Sequence, residues 1–311
     1  MDNYLLKAKR MLTDPVVRFS YFSKMGLYNG LSDEKYLKKK FRLMMGKKLS
    51  LAPPRTFNEK LQWLKLYDRK PEYTIMVDKY KVREYIKEKI GDEYLIPLLG
   101  VWDNAKDIDF DKLPNQFVLK CNHNSGLGMY ICKDKSKLTK KQVREIRKNL
   151  TKGLQQDYYL TGREWPYKNV PRKIIAEKYM TDTPESSDFT DYKFFCFNGY
   201  VDCVMVCLER SSGDTKFYFF DRDWNLKRLN IRGKNAPDGF TIPKPDLMDK
   251  MFNVASNLSE GLPFVRIDLY QSVGKIYFGE ITFFPDSGFD SNLLAETDEY
   301  FGNLIHLEGV K

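Results

Sequence analysis

The sequence predicts an α+β fold on three observations. Helical patterns come first along the chain, strand pairs with one inserted helix follow, and mostly antiparallel strands close it, which argues against a doubly wound parallel sheet. Two hairpin signals stand between apolar runs, Asn198-Gly199 and a turn at Gly274. With 311 residues, 42% hydrophobic and 30% charged, the chain can bury a sizeable core.

The N-terminal segment reads as helix. Between Lys35 and Lys48 stand Lys35, Lys38, Lys39, Lys40, Arg42, Lys47 and Lys48 without an acid, while Leu37, Phe41, Met44 and Met45 share a helical face. Such a basic amphipathic helix serves either as a solvated face on a core-packed helix or as a dock on an anionic membrane surface. Thr56-Phe57-Asn58-Glu59 forms a capping box, and Phe57, Leu61, Leu64 and Tyr67 make the stripe of the helix it opens. A second helix starts near Asp78, turns Val82, Tyr85, Ile86 and Ile90 inward and stops at Gly91. A third begins near Thr139 with Val143, Ile146 and Leu150 inward. A fourth follows Pro245 with Leu247, Met251, Val254 and Leu258, ending at Gly261.

Strands fill the intervals. Phe117–Cys121 and Met129–Cys132 flank a polar loop with two glycines, and Lys173–Glu177 is a short apolar strand. Tyr192–Phe197 and Tyr200–Leu208 form one hairpin, Phe264–Tyr270 and Lys275–Phe283 another.

Composition narrows the chemistry. Lys and Arg exceed Asp and Glu by 52 to 42, a formal charge of +10, so anions are the expected partners. Cys121, Cys132, Cys196, Cys203 and Cys207 show no metal or redox spacing and read as buried reduced thiols. With His123 and His306 as the only histidines, histidine-rich zinc sites and most histidine-based triads are excluded. The longest nearly apolar run, Tyr94–Trp102, is far short of the roughly 20 residues of a membrane span. Lys7, Lys9 and Arg10 break any signal core, so the expected location is the cytoplasm. Chemistry is left to carboxylates, lysines, arginines and backbone amides.

Four stretches could carry it. In Arg266-Ile267-Asp268 the polar side chains share a strand face, as do Glu280 and Thr282 on the returning arm. With a tight turn at 271–274, Asp268 and Glu280 converge either as a Mg²⁺ site completed by water and phosphate oxygens, with Arg266 steadying the phosphates, or as an exposed charge cluster. In the second stretch, Phe117–Lys120 delivers Lys120 to the polar loop Cys121–Gly128. The loop either exposes amides to phosphates or is an ordinary hairpin turn, and it is no Walker loop, having no GK[ST]. In the third, the apolar strand Ile174-Ile175-Ala176 ends in Glu177-Lys178-Tyr179, as a hinge over a purine would, with Glu177 reading the ribose; the alternative is a solvated strand end. In the fourth, Lys193 lies inside an aromatic strand and requires either an acid or a bound phosphate.

Taken in this order, the stretches resemble the ATP-grasp superfamily and, more closely, its TupA-like family, associated with teichuronopeptide and other surface-polysaccharide biosynthesis. The resemblance spans roughly residues 30 to 311 and includes Thr56–Trp63, Asp78-Lys79-Tyr80, Phe117–Gly126, Arg163-Glu164-Trp165 and Ile175–Tyr179. It continues through Asp191–Gly199, Asp221–Trp224, Phe278–Phe283 and Phe284–Phe289. It implies an ATP-grasp fold, two α+β lobes with the nucleotide between them, preceded by a helical segment. The boundaries would be a helical region at 1–75, a lobe with a phosphate lid at 76–178 and a lobe with the metal site at 179–311.

Residue by residue, the resemblance implies Lys120 on the α- and β-phosphates and a lid at Ser125–Gly128, with Ser125 and Gly126 at the nucleotide. Glu177 with the Lys178 and Tyr179 backbone would hold adenosine, and Lys193 would be a second phosphate contact. Asp268 and Glu280 would bind Mg²⁺. Thr282 stands where many relatives carry a metal-binding Asn; a hydroxyl is a poorer metal ligand than an amide oxygen, so Thr282 would bind the metal through water or not at all. Arg163, Arg210, Ser287 and Gly288 are candidate acceptor contacts.

The implied activity is ADP-forming carboxylate–amine ligation, with ATP and Mg²⁺ as cofactors. A uronic acid or amino-acid carboxylate of a glycan precursor becomes an acyl phosphate, with Arg266, Lys120 and Lys193 at the transferred group. The partners would be a small or lipid-linked glycan and an amine donor, at the inner face of the membrane if the basic segment docks there. A sugar kinase on the same fold and a glycosyltransferase are the alternatives. Nucleic acid is the least expected partner, because the aromatic residues lie in helix and strand stripes rather than among surface cations.

Overall fold

The computed structural model describes residues 13–182, 190–208 and 215–308. In chain order its longer helices are α1 (Pro15–Lys24), α2 (Asp33–Met45), α3 (Phe57–Tyr67), α4 (Glu72–Val77), α5 (Val82–Ile90), α6 (Lys140–Gln155), α7 (Met248–Ser259) and α8 (Ala295–Leu304). The strands are β1 (Leu98–Trp102), β2 (Phe117–Cys121), β3 (Met129–Cys132), β4 (Ile174–Lys178), β5 (Asp191–Phe197), β6 (Tyr200–Leu208), β7 (Lys216–Phe220), β8 (Leu226–Lys227), β9 (Phe264–Ser272) and β10 (Lys275–Thr282). The mixed α+β class holds, and the strand pairing is antiparallel throughout both sheets.

By its contacts the chain divides into two units. One gathers residues 1–69, 157–168 and 284–311; the other holds 70–156 and 169–283. Boundaries at 75 and 178 follow chain order, whereas the helical unit also recovers two later segments of the chain.

In the helical unit, α3 opens on the expected capping box: Thr56 Oγ1 accepts from the Glu59 amide and Glu59 Oε2 from the Thr56 amide. Asp298 of α8 accepts from both the backbone and the side-chain amide of Asn58, 2.9 Å each, and so secures the first turn of α3. Tyr36, Leu37 and Phe41 of α2 pack with Phe19 and Phe289 in the unit's core.

The larger unit contains both sheets. Strand order is β1-β4-β2-β3 in the smaller and β10-β9-β5-β6-β7-β8 in the larger. Alternation gives each sheet two unlike faces. In the smaller sheet Phe117, Leu119, Cys121, Cys132, Ile174 and Ala176 turn toward Ile146 and Leu150 of α6 and form a core. In the larger, α7 covers the face that carries Phe194, whose ring meets Phe252 edge-on at 5.1 Å. The opposite faces are left to carry the polar residues. All five cysteines are buried and unpaired, and burial pushes the Cys121 thiol to about 11 and that of Cys196 to about 12. Burial thus favours the neutral thiol at these two.

Candidate active site

The polar face of the larger sheet is built by register. Lys193 of β5 pairs with Asp268 of β9, and Asp268 with Glu280 of β10, so one row of charged side chains crosses three adjacent strands. The β9–β10 turn is tight, with Val273 and Gly274 both at positive φ, 46° and 71°. An unbroken register from Ser272 opposite Lys275 would set Gly279 against Asp268. A bulge between Phe278 and Glu280 moves the pairing by one residue and brings Glu280 there instead. Only glycine fits at the bulge: a Cβ on Gly279 would lie 2.6 Å from the Tyr270 ring and 2.9 Å from the Asp268 carbonyl oxygen.

Arg266 binds this row together. Its Nε and one terminal nitrogen take both Asp268 oxygens at 2.7 and 2.8 Å, and the same nitrogen lies 3.5 Å from Glu280 Oε1 and 3.3 Å from Thr282 Oγ1. Lys193 Nζ lies 2.5 Å from Asp268 and 2.6 Å from Asp191. The buried lysine thus has acids for company, and Asp191 is a member of the cluster that the sequence reading leaves out. Its signal is there, two residues before Lys193 and so on the same strand face.

The smaller sheet supplies the second wall. Lys120 of β2 and Glu177 of β4 are paired at 2.6 Å, with Arg83 3.9 Å from Glu177. Val118, Met129, Ile131 and Ile175 share their face by register, giving an apolar surround to one ion pair. The loop after β2 is fastened at its base. Asn122 donates to Asp78 and Pro171 and accepts from the Lys173 amide, while Asn124 donates to Gly153 and Gln156. Gly128 and Gly153 approach so closely that a Cβ on either would come within 2.8 Å of the other's Cα. Ser125, Gly126 and Leu127 form an exposed tip on that fixed base.

Lys79 joins the two sheets and is the second residue the sequence reading misses. Its backbone amide donates to Asn122, its Nζ donates to the Asn124 carbonyl at 2.8 Å, and it lies 3.7 Å from Glu280 Oε2. Asp78 steadies it by accepting from the Tyr80 and Lys81 amides. A lysine between two helices belongs to no apolar alternation, so pattern reading passes over it.

Burial governs the charges here. It lowers the Lys79 amine, with Lys120 acting the same way against the pull of Glu280 and Glu177. Burial opposes ionisation of Glu280 as well, but Lys79, Lys193, Arg266 and Lys120 outweigh it and hold the carboxyl at about 2. At Lys193 desolvation works against the charge, and Asp268 and Asp191 restore it to a pKa above the ordinary one. The donor set suits Mg²⁺, two carboxylates and a hydroxyl, all hard oxygens; burial holds the Asp268 carboxyl above its ordinary value against the pull of Arg266 and Lys193. Among the described residues no group of three or more His, Cys, Asp or Glu side chains is placed to hold a metal.

Other expected contacts stand differently. The Lys178 amide donates to the Pro97 carbonyl at 3.0 Å and so is already paired within the protein. Arg163 lies in the helical unit, buried to 3% exposure. It donates to the Tyr28 carbonyl, lies near Asp33 and stacks on Tyr36. Ser287 and Gly288 are in the same unit: their carbonyls accept from Gln62, and Ser287 Oγ bonds Glu164 at 2.5 Å. These residues hold that unit's core together. Arg210 lies outside the described residues.

Comparison with known proteins gives a family. The family described as TupA-like ATPgrasp matches residues 59–306, most of the chain. No curated protein matches it. Among solved structures, a D-alanine–D-alanine ligase from Bacillus anthracis is similar over 81% of this chain and 66% of its own length, with 15% identity and a TM-score of 0.42. The D-alanine–D-alanine ligase from Helicobacter pylori gives 13% identity over 81% and 71%, TM-score 0.43. The D-cycloserine synthetase DcsG gives 14% over 76% and 71%, TM-score 0.41.

Proposed function

This chain belongs to the TupA-like ATP-grasp family, and on that premise we propose that it is an ATP-dependent carboxylate–amine ligase acting on a surface-polysaccharide precursor. The observation that carries the reading is the charged row Lys193–Asp268–Glu280, set by the Gly279 bulge and met by Lys79 from the other wall. Here cations and carboxylates are paired with one another at salt-bridge distance, and each kind has a better partner in a metal–nucleotide complex. Asp268 and Glu280 would hold Mg²⁺, with Thr282 beside them, while Lys79, Lys120, Lys193 and Arg266 turn to phosphate oxygens. When bound, Mg²⁺ supplies charge withdrawal from the phosphates.

Each remaining part has a place in this scheme. Release of Lys120 frees Glu177 to accept from a ribose hydroxyl. Val118, Met129 and Ile131 offer an apolar strip for the base, and the tip at Ser125–Leu127 presents amides to the phosphates. The acceptor's carboxylate oxygen attacks the γ-phosphorus, and ADP leaves. Arg266 and Lys193 stabilise the charge that spreads over the equatorial oxygens. An amine nitrogen then attacks the acyl carbon; phosphate leaves, the nitrogen loses its proton and an amide remains. The carboxylate is assigned to a uronic acid or amino-acid residue of a glycan precursor, in keeping with the family's association.

The test is ADP release measured on a grid of uronic and amino acids against amines, with Mg²⁺ and ATP. Release that requires both an acid and an amine supports the ligase. A phosphorylated product formed without amine would reassign the chain as a kinase. Stabilisation by nucleotide sugars but not by ATP would point to glycosyl transfer.

A further inference from the structure

The first two helices carry a surface that the site has no use for. On α2 the exposed side chains Lys35, Lys38, Lys39 and Arg42 fall at i, i+3, i+4 and i+7, so they line one face, while Tyr36, Leu37 and Phe41 are buried on the other. Lys47 and Lys48, also exposed, follow beyond Gly46. The ion pairs along this stripe are Lys38 with Glu34 at 2.5 Å and Lys47 with Asp298 at 3.4 Å.

Next to the cations stands exposed apolar surface. Tyr21 is 45% exposed, Met25 66% and Leu27 65%, all within one stretch that ends α1 and begins the loop. Two contacts place this stretch against α2: Lys39 Nζ sits 4.6 Å over the Tyr28 ring, and the Tyr36 hydroxyl meets Ser23 Oγ at 2.7 Å. Leu27 therefore directly precedes a residue that touches the cationic stripe.

We propose that the α1–α2 hairpin docks this protein on an anionic lipid surface, with Met25 and Leu27 entering the boundary between headgroups and acyl chains and Lys35, Lys38, Lys39 and Arg42 facing the headgroups. Charge complementarity selects a polyanion, and the apolar residues select which kind. A nucleic acid offers phosphates and bases, and bases are gripped by stacking on aromatic rings. The two most exposed apolar residues of this stretch, Met25 and Leu27, have none, Tyr21 is less exposed than either, and the Tyr28 ring is already covered by Lys39. A bilayer offers phosphates above hydrocarbon, which rewards cations beside Met and Leu. Each cation near such a surface strengthens binding by about fivefold, so the stripe supports reversible, salt-sensitive attachment without a membrane-spanning helix. The proposal is independent of the reaction assigned above, because none of these residues belongs to the nucleotide cluster.

The test is co-sedimentation of the full chain with vesicles of phosphatidylcholine alone and of phosphatidylcholine mixed with phosphatidylglycerol. Pelleting is expected with the mixed vesicles alone and weakens as salt is added. Lys35→Glu with Arg42→Glu lowers partitioning by about 25-fold or more. Met25→Ser with Leu27→Ser lowers it severalfold and leaves the salt dependence in place. Both variants change exposed side chains, so each should melt with the wild type, which shows that the fold is intact. Equal pelleting with both vesicles, indifference to the charge reversal, or retention of single-stranded RNA without any vesicle binding would each overturn the proposal.

Discussion

Two buried lysines, one in each unit, are satisfied in opposite ways. Lys65 of α3 is fully buried and donates to three neutral oxygens: Gln62 Oε1 at 3.0 Å, the Gly162 carbonyl at 2.8 Å and the Ser287 carbonyl at 2.6 Å. Lys193 is held instead by two carboxylates, Asp191 and Asp268. Burial therefore lowers Lys65 to about 7, with Lys40 adding to the effect against Glu164, whereas the Lys193 amine stays above its usual value. Carbonyls are fixed parts of the backbone, so Lys65 works as a staple across three chain segments. Ser287, one of the residues it holds, has a left-handed backbone, φ 54°. Carboxylates can trade one cation for another. Lys193 and its neighbours are thus suited to exchange, and Lys65 to permanence.

The sharpest way to break this contrast is to remove the exchangeable acids. Asp268→Asn with Glu280→Gln should lower ADP release by at least about 10³-fold and abolish the Mg²⁺-dependent part of nucleotide stabilisation in a thermal-shift assay. Normal turnover in that double variant would end the metal assignment. The staple should respond the other way. Lys65→Met strips the amine donor from three buried acceptors and should cost about 3 kcal/mol of unfolding free energy in urea above about pH 7. Mg²⁺–ATP should still raise the variant's melting temperature. If Lys65→Met abolished nucleotide stabilisation while leaving stability unchanged, the distinction between staple and exchange site would be lost.

A smaller effect is expected at the bulge. Gly279→Ala forces a methyl against the Tyr270 ring and the Asp268 carbonyl, and relief requires the β10 register to give. A cost of about 1–3 kcal/mol is expected, together with about 10²-fold slower turnover as Glu280 shifts off Asp268. Turnover retained at full stability would mean that the register is not what positions the carboxylates.

That bulge also marks where sequence reading stops. Alternation alone groups Arg266 with Asp268 on one arm and Glu280 with Thr282 on the other, and the Gly274 turn brings the arms together. Which residue faces which is decided by one extra residue in β10, and a glycine within a strand signals that only loosely. Lys79 was illegible for another reason: it reaches the cluster through Asn122 and Asn124, by tertiary contact across more than 40 residues of chain. β1 was hidden in the apolar run Tyr94–Trp102, where no alternation separates strand from coil. Helix α8 was hidden by its acids. Asp298 is buried because it caps Asn58 of α3, a role that no local pattern expresses. Local signals such as the Thr56–Glu59 capping box could be read directly, because both partners lie within one turn.

The smallest expected effects are in pH, and they set the two regions in separate windows. Glu280 ionises at about 2 in the folded chain against an ordinary 4.5, so across that interval the unfolded state binds more protons than the native one. The stability it contributes is present above 4.5 and is lost as pH falls toward 2. Lys65 titrates at about 7 against an ordinary 10.5, and here too the unfolded state holds the extra proton. Its contribution is present above 10.5 and is lost as pH falls toward 7, so stability rises with pH across the alkaline window. Surface charge, and Lys40 at about 8, tilt the same curve. The measurement is therefore the difference between wild type and variant in urea midpoints across pH. Glu280→Gln should flatten the acid limb alone, and Lys65→Met the alkaline limb alone. A single variant that flattened both limbs would show that the two clusters titrate as one.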